Sequence, residues 1–159
     1  MAFYGDVIDQ TPGIAVYAQW RKGIHPGETS VRSFLAEDSI YLFREGERIL
    51  GAMVLTMSQA DDYHAVNWGR PLADDEVAVI HMLAVSPRCQ GSGTGAEMVR
   101  EAIRIARVRN KKAVRLDATV SNTPVHRLYE RLGFVNRGRQ RIFADNAAWM
   151  DFFYFEYEL

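Results

Sequence analysis

The chain has 159 residues, 48% of them hydrophobic and 25% charged, which is enough apolar matter for one packed core and short of two comfortable domains. Its 19 lysines and arginines nearly cancel 20 aspartates and glutamates, so no global field draws it to nucleic acid or to an anionic membrane. The single cysteine, Cys89, excludes an internal disulfide and fits a reducing compartment.

No apolar run reaches the length of a membrane span, and the first six residues lack the basic and apolar regions of a signal peptide. The expectation is one cytoplasmic domain over residues 1–159, with no membrane partner. The densest basic run, Arg100, Arg104, Arg107, Arg109, Lys111 and Lys112, is interleaved with Glu97 and Glu101 at helical spacing. A solvated helix face accounts for it, and no nucleic-acid partner is expected.

In chain order, residues 1–30 predict two short helices, around Val7-Ile8 and Ile14 to Trp20, with Thr11-Pro12-Gly13 and His25-Pro26-Gly27 as breakers. Ser30 ahead of Val31, Phe34 and Leu35 predicts a third. Residues 40–44 and 48–56, joined by Glu45-Gly46-Glu47, read as an antiparallel hairpin. A polar stretch over 61–75 carries Trp68. Residues 76–85 follow, apolar enough for a central strand buried on both faces.

Helical periodicity over 97–108 puts Met98, Ala102, Ile105 and Ala106 on one side, and residues 113–119 alternate as a strand, so a βαβ unit with a parallel pair is implied. Ser121-Asn122-Thr123-Pro124 supplies an N-cap and an early proline for a helix that Gly133 stops. Two strands, 134–143 and 151–159, close the chain around a turn near Asp145-Asn146.

The most informative segment is Arg88-Cys89-Gln90-Gly91-Ser92-Gly93-Thr94-Gly95-Ala96, between a buried strand and an amphipathic helix. Glycines let main chain approach a ligand, and exposed amides at a helix start complement a pyrophosphate. A plain connecting turn is the bland alternative. Gly91, Gly93 and Ala96 also fit a dinucleotide fingerprint, with Asp117 at the spacing of a ribose-binding acid. Against that stand the five residues separating strand from first glycine and the short chain that follows.

Gln90-Gly91-Ser92-Gly93-Thr94-Gly95 resembles the acetyl-CoA signature Q/R-x-x-G-x-G/A of the GNAT superfamily of N-acetyltransferases. Met82-Leu83-Ala84-Val85-Ser86-Pro87 is similar to that family's fourth strand and its exit, and residues 122–134, from Asn122 through Tyr129 to Gly133-Phe134, to its second signature. The resemblance is strong over residues 76–135. It implies an α/β fold with a mixed, mostly antiparallel sheet flanked by helices. The usual opening strand is lacking: either the sequence begins inside a longer chain, or a sheet edge is left for a loop or for the second subunit of a homodimer to cover.

The same resemblance implies acetyl-CoA as cosubstrate. Its pyrophosphate would lie on Gln90, Gly91, Ser92, Gly93, Thr94 and Gly95, and its pantetheine arm along Leu83, Ala84 and Val85, with Asn122 and Tyr129 also meeting it. Tyr129 is implied to stabilise the departing thiolate. As proton acceptor His81 is expected first, its ordinary pKa of about 6.5 suiting the task, and Glu76 is the alternative. Each has a bland reading: Tyr129 and His81 as core residues, Glu76 as a strand end, Asn122 as a cap.

Tyr63, Trp68, Tyr41, Trp20 and Trp149 either shape an acceptor pocket or fill the core. His64 and His126 are expected at the surface, the four histidines lack metal-ligand spacing, and no metal is expected. The expected reaction is acetyl transfer to a primary amine of a small molecule. A protein N-terminus or lysine, or a non-catalytic CoA-binding module, stays open.

Overall fold

The computed structural model describes residues 1–144 and 148–159, so the turn expected near Asp145-Asn146 lies outside the described residues. Three short helices come first, α1 (Ala2–Gln10), α2 (Ile14–Tyr17) and α3 (Glu28–Ala36), then the hairpin of β1 (Ile40–Glu45) and β2 (Arg48–Thr56). Next are β3 (Val77–Val85), α4 (Thr94–Val108), β4 (Ala113–Thr119), α5 (Thr123–Arg131), β5 (Val135–Ala144) and β6 (Ala148–Glu158). The strands form one sheet in the order β1-β2-β3-β4-β6-β5. Only β3 and β4 run parallel, α4 carrying the chain back between them; every other neighbouring pair is antiparallel. No strand precedes β1 among the described residues, as expected, and its outer edge is unpaired in the sheet.

Alternation along the strands decides the layers. On β4, Val114, Leu116 and Ala118 join Met98, Val99 and Ala102 of α4 and Tyr129 of α5 in the largest core cluster. Arg115, Asp117 and Thr119 point to the opposite face, where α1, α2 and α3 cover Ala52 and Ala84, and Tyr63, Val66 and Trp68 of the 57–76 segment cover Val77, Val79 and Tyr154. Each large apolar side chain buried this way stabilises the fold by roughly 1.5–3 kcal/mol. No helix among the described residues is long and apolar enough to cross a membrane.

Three local expectations are corrected. α3 starts at Glu28 with Gly27 in the N-cap position, two residues ahead of Ser30. α4 starts at Thr94, so Gly95 lies inside its first turn. His126 is not at the surface: α5 lies flat on the sheet, burying His126 with Tyr129, and the imidazole Nε2 sits 2.9 Å from the Thr119 carbonyl, between Phe153 and Phe155.

Candidate active site

The parallel pair holds register from Val77 opposite Ala113 to Ile80 opposite Leu116, and there it stops, although β3 continues to Val85 and β4 to Thr119. On its other side β3 is bulged. His81 faces Val54 and Ala84 faces Ala52, so Met82 and Leu83 share the single residue Met53. Met82 takes φ 47°, a region few side-chain-bearing residues visit. Its carbonyl accepts the Tyr4 hydroxyl of α1 at 3.0 Å. Nothing in the sequence marks a methionine for that role, so this device was invisible beforehand.

The opened strand leads into a turn at Pro87–Cys89 and then the glycine bend. Gly91 and Gly93 have φ of 79° and 94°, and a Cβ on either would meet nothing within 4 Å. Glycine is therefore demanded here by backbone conformation, and the space beside it is open. Among the described residues, nothing accepts from the amides of Gly91, Gly93, Thr94 or Gly95. The Ser92 hydroxyl is spent inside the loop, 2.6 Å from the Cys89 carbonyl and 2.8 Å from Thr94 Oγ1. Gln90 reaches back to Thr11 Oγ1 at 3.0 Å, tying the bend to the N-terminal helices.

Asn122 stands in the N-cap position of α5, yet its side chain makes no cap bond and its buried Oδ1 has no partner. Unspent amides at a helix start call for an anion, and an orphaned carbonyl oxygen for an N–H donor. A phosphate-bearing ligand with amides in its arm has both, so the residues present fit coenzyme A. Leu83, Ala84 and Val85 run along the strand between the bulge and the bend.

On the face covered by α1–α3, four side chains converge. The His81 ring stacks on Phe34, with centroids 5.9 Å apart, meets Tyr63 edge-on at 6.3 Å, and places Nε2 3.5 Å from Thr56 Oγ1. The ordinary imidazole value does not survive there: burial pulls it down to about 4, against a smaller upward pull from Asp62. Tyr63 donates to Asp117 Oδ1 at 2.5 Å. Burial raises the Asp117 carboxyl, opposed by that hydrogen bond. Asp62, at the rim, is raised by burial and then by the Asp117 charge.

Tyr129 lies on the other side of the sheet, 6% exposed, against Phe134 and Phe155. Burial pushes its phenol well above the ordinary value, and Asp117 adds to the rise. Glu76 does not join these residues. It precedes β3, at the end of the strand farthest from the bend, where its Oε2 accepts the Ala73 amide at 2.9 Å.

Of the aromatics, Tyr63 and Trp68 stack at 5.7 Å beside Asp117, while Trp20 packs on Tyr4, Tyr41 joins the main core cluster, and Trp149 is 63% exposed. Asp61, His64 and Asp74 bring ligand atoms within 4.8 Å of one another at the surface, where His64 Nε2 and Asp74 Oδ1 form an ion pair. Asp117 was read in the sequence only as a possible ribose ligand, and Asp62 not at all. An acid placed two residues from Arg115 on an alternating strand was the only signal for Asp117, and Asp62, in the 61–65 turn, had none.

An α/β sheet opened between its two parallel strands above a main-chain anion cradle is the frame of an acyltransferase. Residues 11–134 match the model of the acetyltransferase (GNAT) family, and the chain belongs to that family. Over 118 residues it is 26% identical to the uncharacterized N-acetyltransferase YesJ of Bacillus subtilis, an alignment covering 73% of this chain and 64% of that protein. The chain thus spans less than two thirds of that relative's length.

Two solved structures show the same fold. A ribosomal-protein-alanine N-acetyltransferase from Brucella melitensis superposes with a TM-score of 0.68 at 16% identity, covering 99% of this chain and 91% of that one. A GNAT family acetyltransferase from Elizabethkingia anophelis with acetyl-CoA bound gives 0.62 at 21% identity, covering 86% of each. Enzymes of the family use acetyl-CoA.

Proposed function

We propose that this chain transfers the acetyl group of acetyl-CoA to a primary amine of a small molecule by direct attack. The observation that carries the reading is the end of the β3–β4 pairing at Ile80 and Leu116, on the strand that leads into a bend with four unspent amides. Acetyl-CoA supplies a thioester-activated acetyl group. The unspent amides among residues 90–95 hold its phosphates, and main chain of Leu83, Ala84 and Val85 lines its arm. Asn122 Oδ1 accepts a hydrogen bond from an N–H of that arm, which supplies the partner it lacks.

Tyr129 serves the departing sulfur. Full proton transfer from a phenol of ordinary value near ~10 to a thiolate near ~8.5 is uphill by roughly 2 kcal/mol, and the raised value of Tyr129 makes it more so. The hydroxyl therefore donates a hydrogen bond that strengthens as charge grows on sulfur. His81, neutral at pH 7, orients the incoming amine or a water and relays its proton; with a conjugate acid near 4 it does not retain one.

The test follows free thiol while purified protein, acetyl-CoA and a panel of amines are incubated together. Amine-dependent thiol release is the expected result. Tight acetyl-CoA binding with no release for any amine, peptide N-terminus or lysine would mark a binding module instead.

A further inference from the structure

The acceptor side of the opening has a charge signature that sets which amines can enter. Asp117 stands on β4 one residue beyond the last parallel pair, at the edge of the gap, and shares a sheet face with His81 across it. Every element packed around Asp117 presents a hydrogen-bonding or titrating group: Tyr63 and Asp62 from the 61–65 turn, Tyr154 from β6, His25 from the loop before α3. His81 brings a neutral ring. Two carboxylates, one deep and one at the rim, face the same space, and both accept hydrogen bonds without offering any.

We propose that Asp117, with Asp62 at the rim, receives the ammonium of the acceptor and rejects amines that carry a carboxylate beside the amino group, so that the substrate class is decarboxylated amines or amino amides, not free amino acids. This rests on the acetyl-transfer reading above. An α-carboxylate bound to the same carbon as the reacting nitrogen sits within a few ångströms of Asp117. Like charges at that separation repel strongly where water is thinned out, and turning about the N–Cα bond leaves the carboxylate carbon at a fixed short distance from the nitrogen, so no rotamer takes it out of range of Asp117. The Tyr63 hydroxyl cannot relieve this, because it is already donated to Asp117 at 2.5 Å.

The experiment compares matched acceptors that differ only at the α-carbon: tyramine, tyrosinamide and tyrosine, then agmatine, argininamide and arginine, with kcat/KM read from thiol release. Amine and amide are expected to exceed the free acid by at least about tenfold in each series. In Asp117→Asn the gap narrows to about threefold or less while acetyl-CoA affinity stays unchanged. Asp62→Asn, at an exposed position, narrows it by a smaller factor. Equal or better use of the free acids by the wild type overturns the inference and leaves the acetyl-transfer reading intact. An unnarrowed gap in both variants also overturns it. Acetyl-CoA binding without turnover of any member overturns the inference, and the acetyl-transfer reading then stands or falls on the wider panel of amines, peptide N-termini and lysine.

Discussion

The two ends of the opening are made of different material. At the glycine bend the working groups are main-chain amides from residues that follow one another in sequence, and side chains such as Ser92 are consumed in holding the loop's shape. On the acceptor face the working groups are side chains drawn from separate segments: Asp62 and Tyr63, His81, Asp117 and Tyr154. A local main-chain device can be read as a motif. A constellation of side chains exists only once the sheet has assembled, so it has no motif to be read.

The acceptor face also needs a frame that the bend does not, and the largest effect expected from any change tests that frame. Arg115 and Glu156, each 1% exposed, are paired through Arg115 Nε and Nη2 at 2.9 and 2.7 Å. Arg115 holds Gln59 Oε1 at 2.5 Å and lies 4.0 Å from the Trp68 ring, while Glu156 accepts the Gly69 amide at 3.0 Å and Arg137 at 2.8 Å. Together they strap the segment that carries Asp62 and Tyr63 onto the sheet. Glu156→Gln leaves the buried Arg115 without its charge partner, while Arg137 keeps Glu158 at 3.2 Å, and breaking a buried pair from one side costs about 3–5 kcal/mol. Urea unfolding should show that loss. A midpoint unmoved by the substitution would mean that the segment is held by its apolar contacts alone.

Next in size is the pH dependence contributed by His81. Its folded value near 4 lies below the ordinary ~6.5, so the unfolded chain binds the extra proton first. The stabilisation is complete above about pH 6.5 and is lost as pH falls toward 4, by at most about 3 kcal/mol. Asp117, raised by burial, works in the opposite sense over the acid range, so the wild-type curve alone does not isolate the histidine. The difference between wild type and His81→Phe does. It should be flat above pH 7 and shift progressively in favour of the variant below pH 6; a difference independent of pH would show that the imidazole titrates normally in the fold.

Tyr129 and Asn122 occupy a middle ground of legibility. Their helix, with its proline and closing glycine, could be read from the sequence, and so could the parallel unit around α4, because caps and periodicity are local. What could not be read was that the Asn122 side chain leaves its cap unmade and that Tyr129 lies behind the sheet, away from His81. The bulge at Met82, the end of pairing at Ile80 and the burial of His126 were equally hidden, since each is settled by what packs across the sheet. Under the proposed role, Tyr129→Phe lowers kcat by at least about tenfold with acetyl-CoA affinity little changed, because the hydroxyl acts on charge that develops only as sulfur departs. Unchanged turnover would reduce the residue to core packing against Phe134 and Phe155.

The smallest effect bears on the bend itself and separates its two demands, backbone conformation and open space. Gly93, at φ 94°, tolerates alanine only with strain of about 1 kcal/mol or more, yet a methyl there touches nothing in the protein. Asparagine visits left-handed backbone more readily, so Gly93→Asn should cost less stability than Gly93→Ala while filling more of the space beside the amides. If a diphosphate lies on those amides, acetyl-CoA affinity falls by about fivefold in the asparagine variant despite its better stability, and calorimetry will find the two rankings crossed. If affinity instead follows stability, with asparagine the milder change in both, the space is not where the ligand lies and the glycine serves the turn alone.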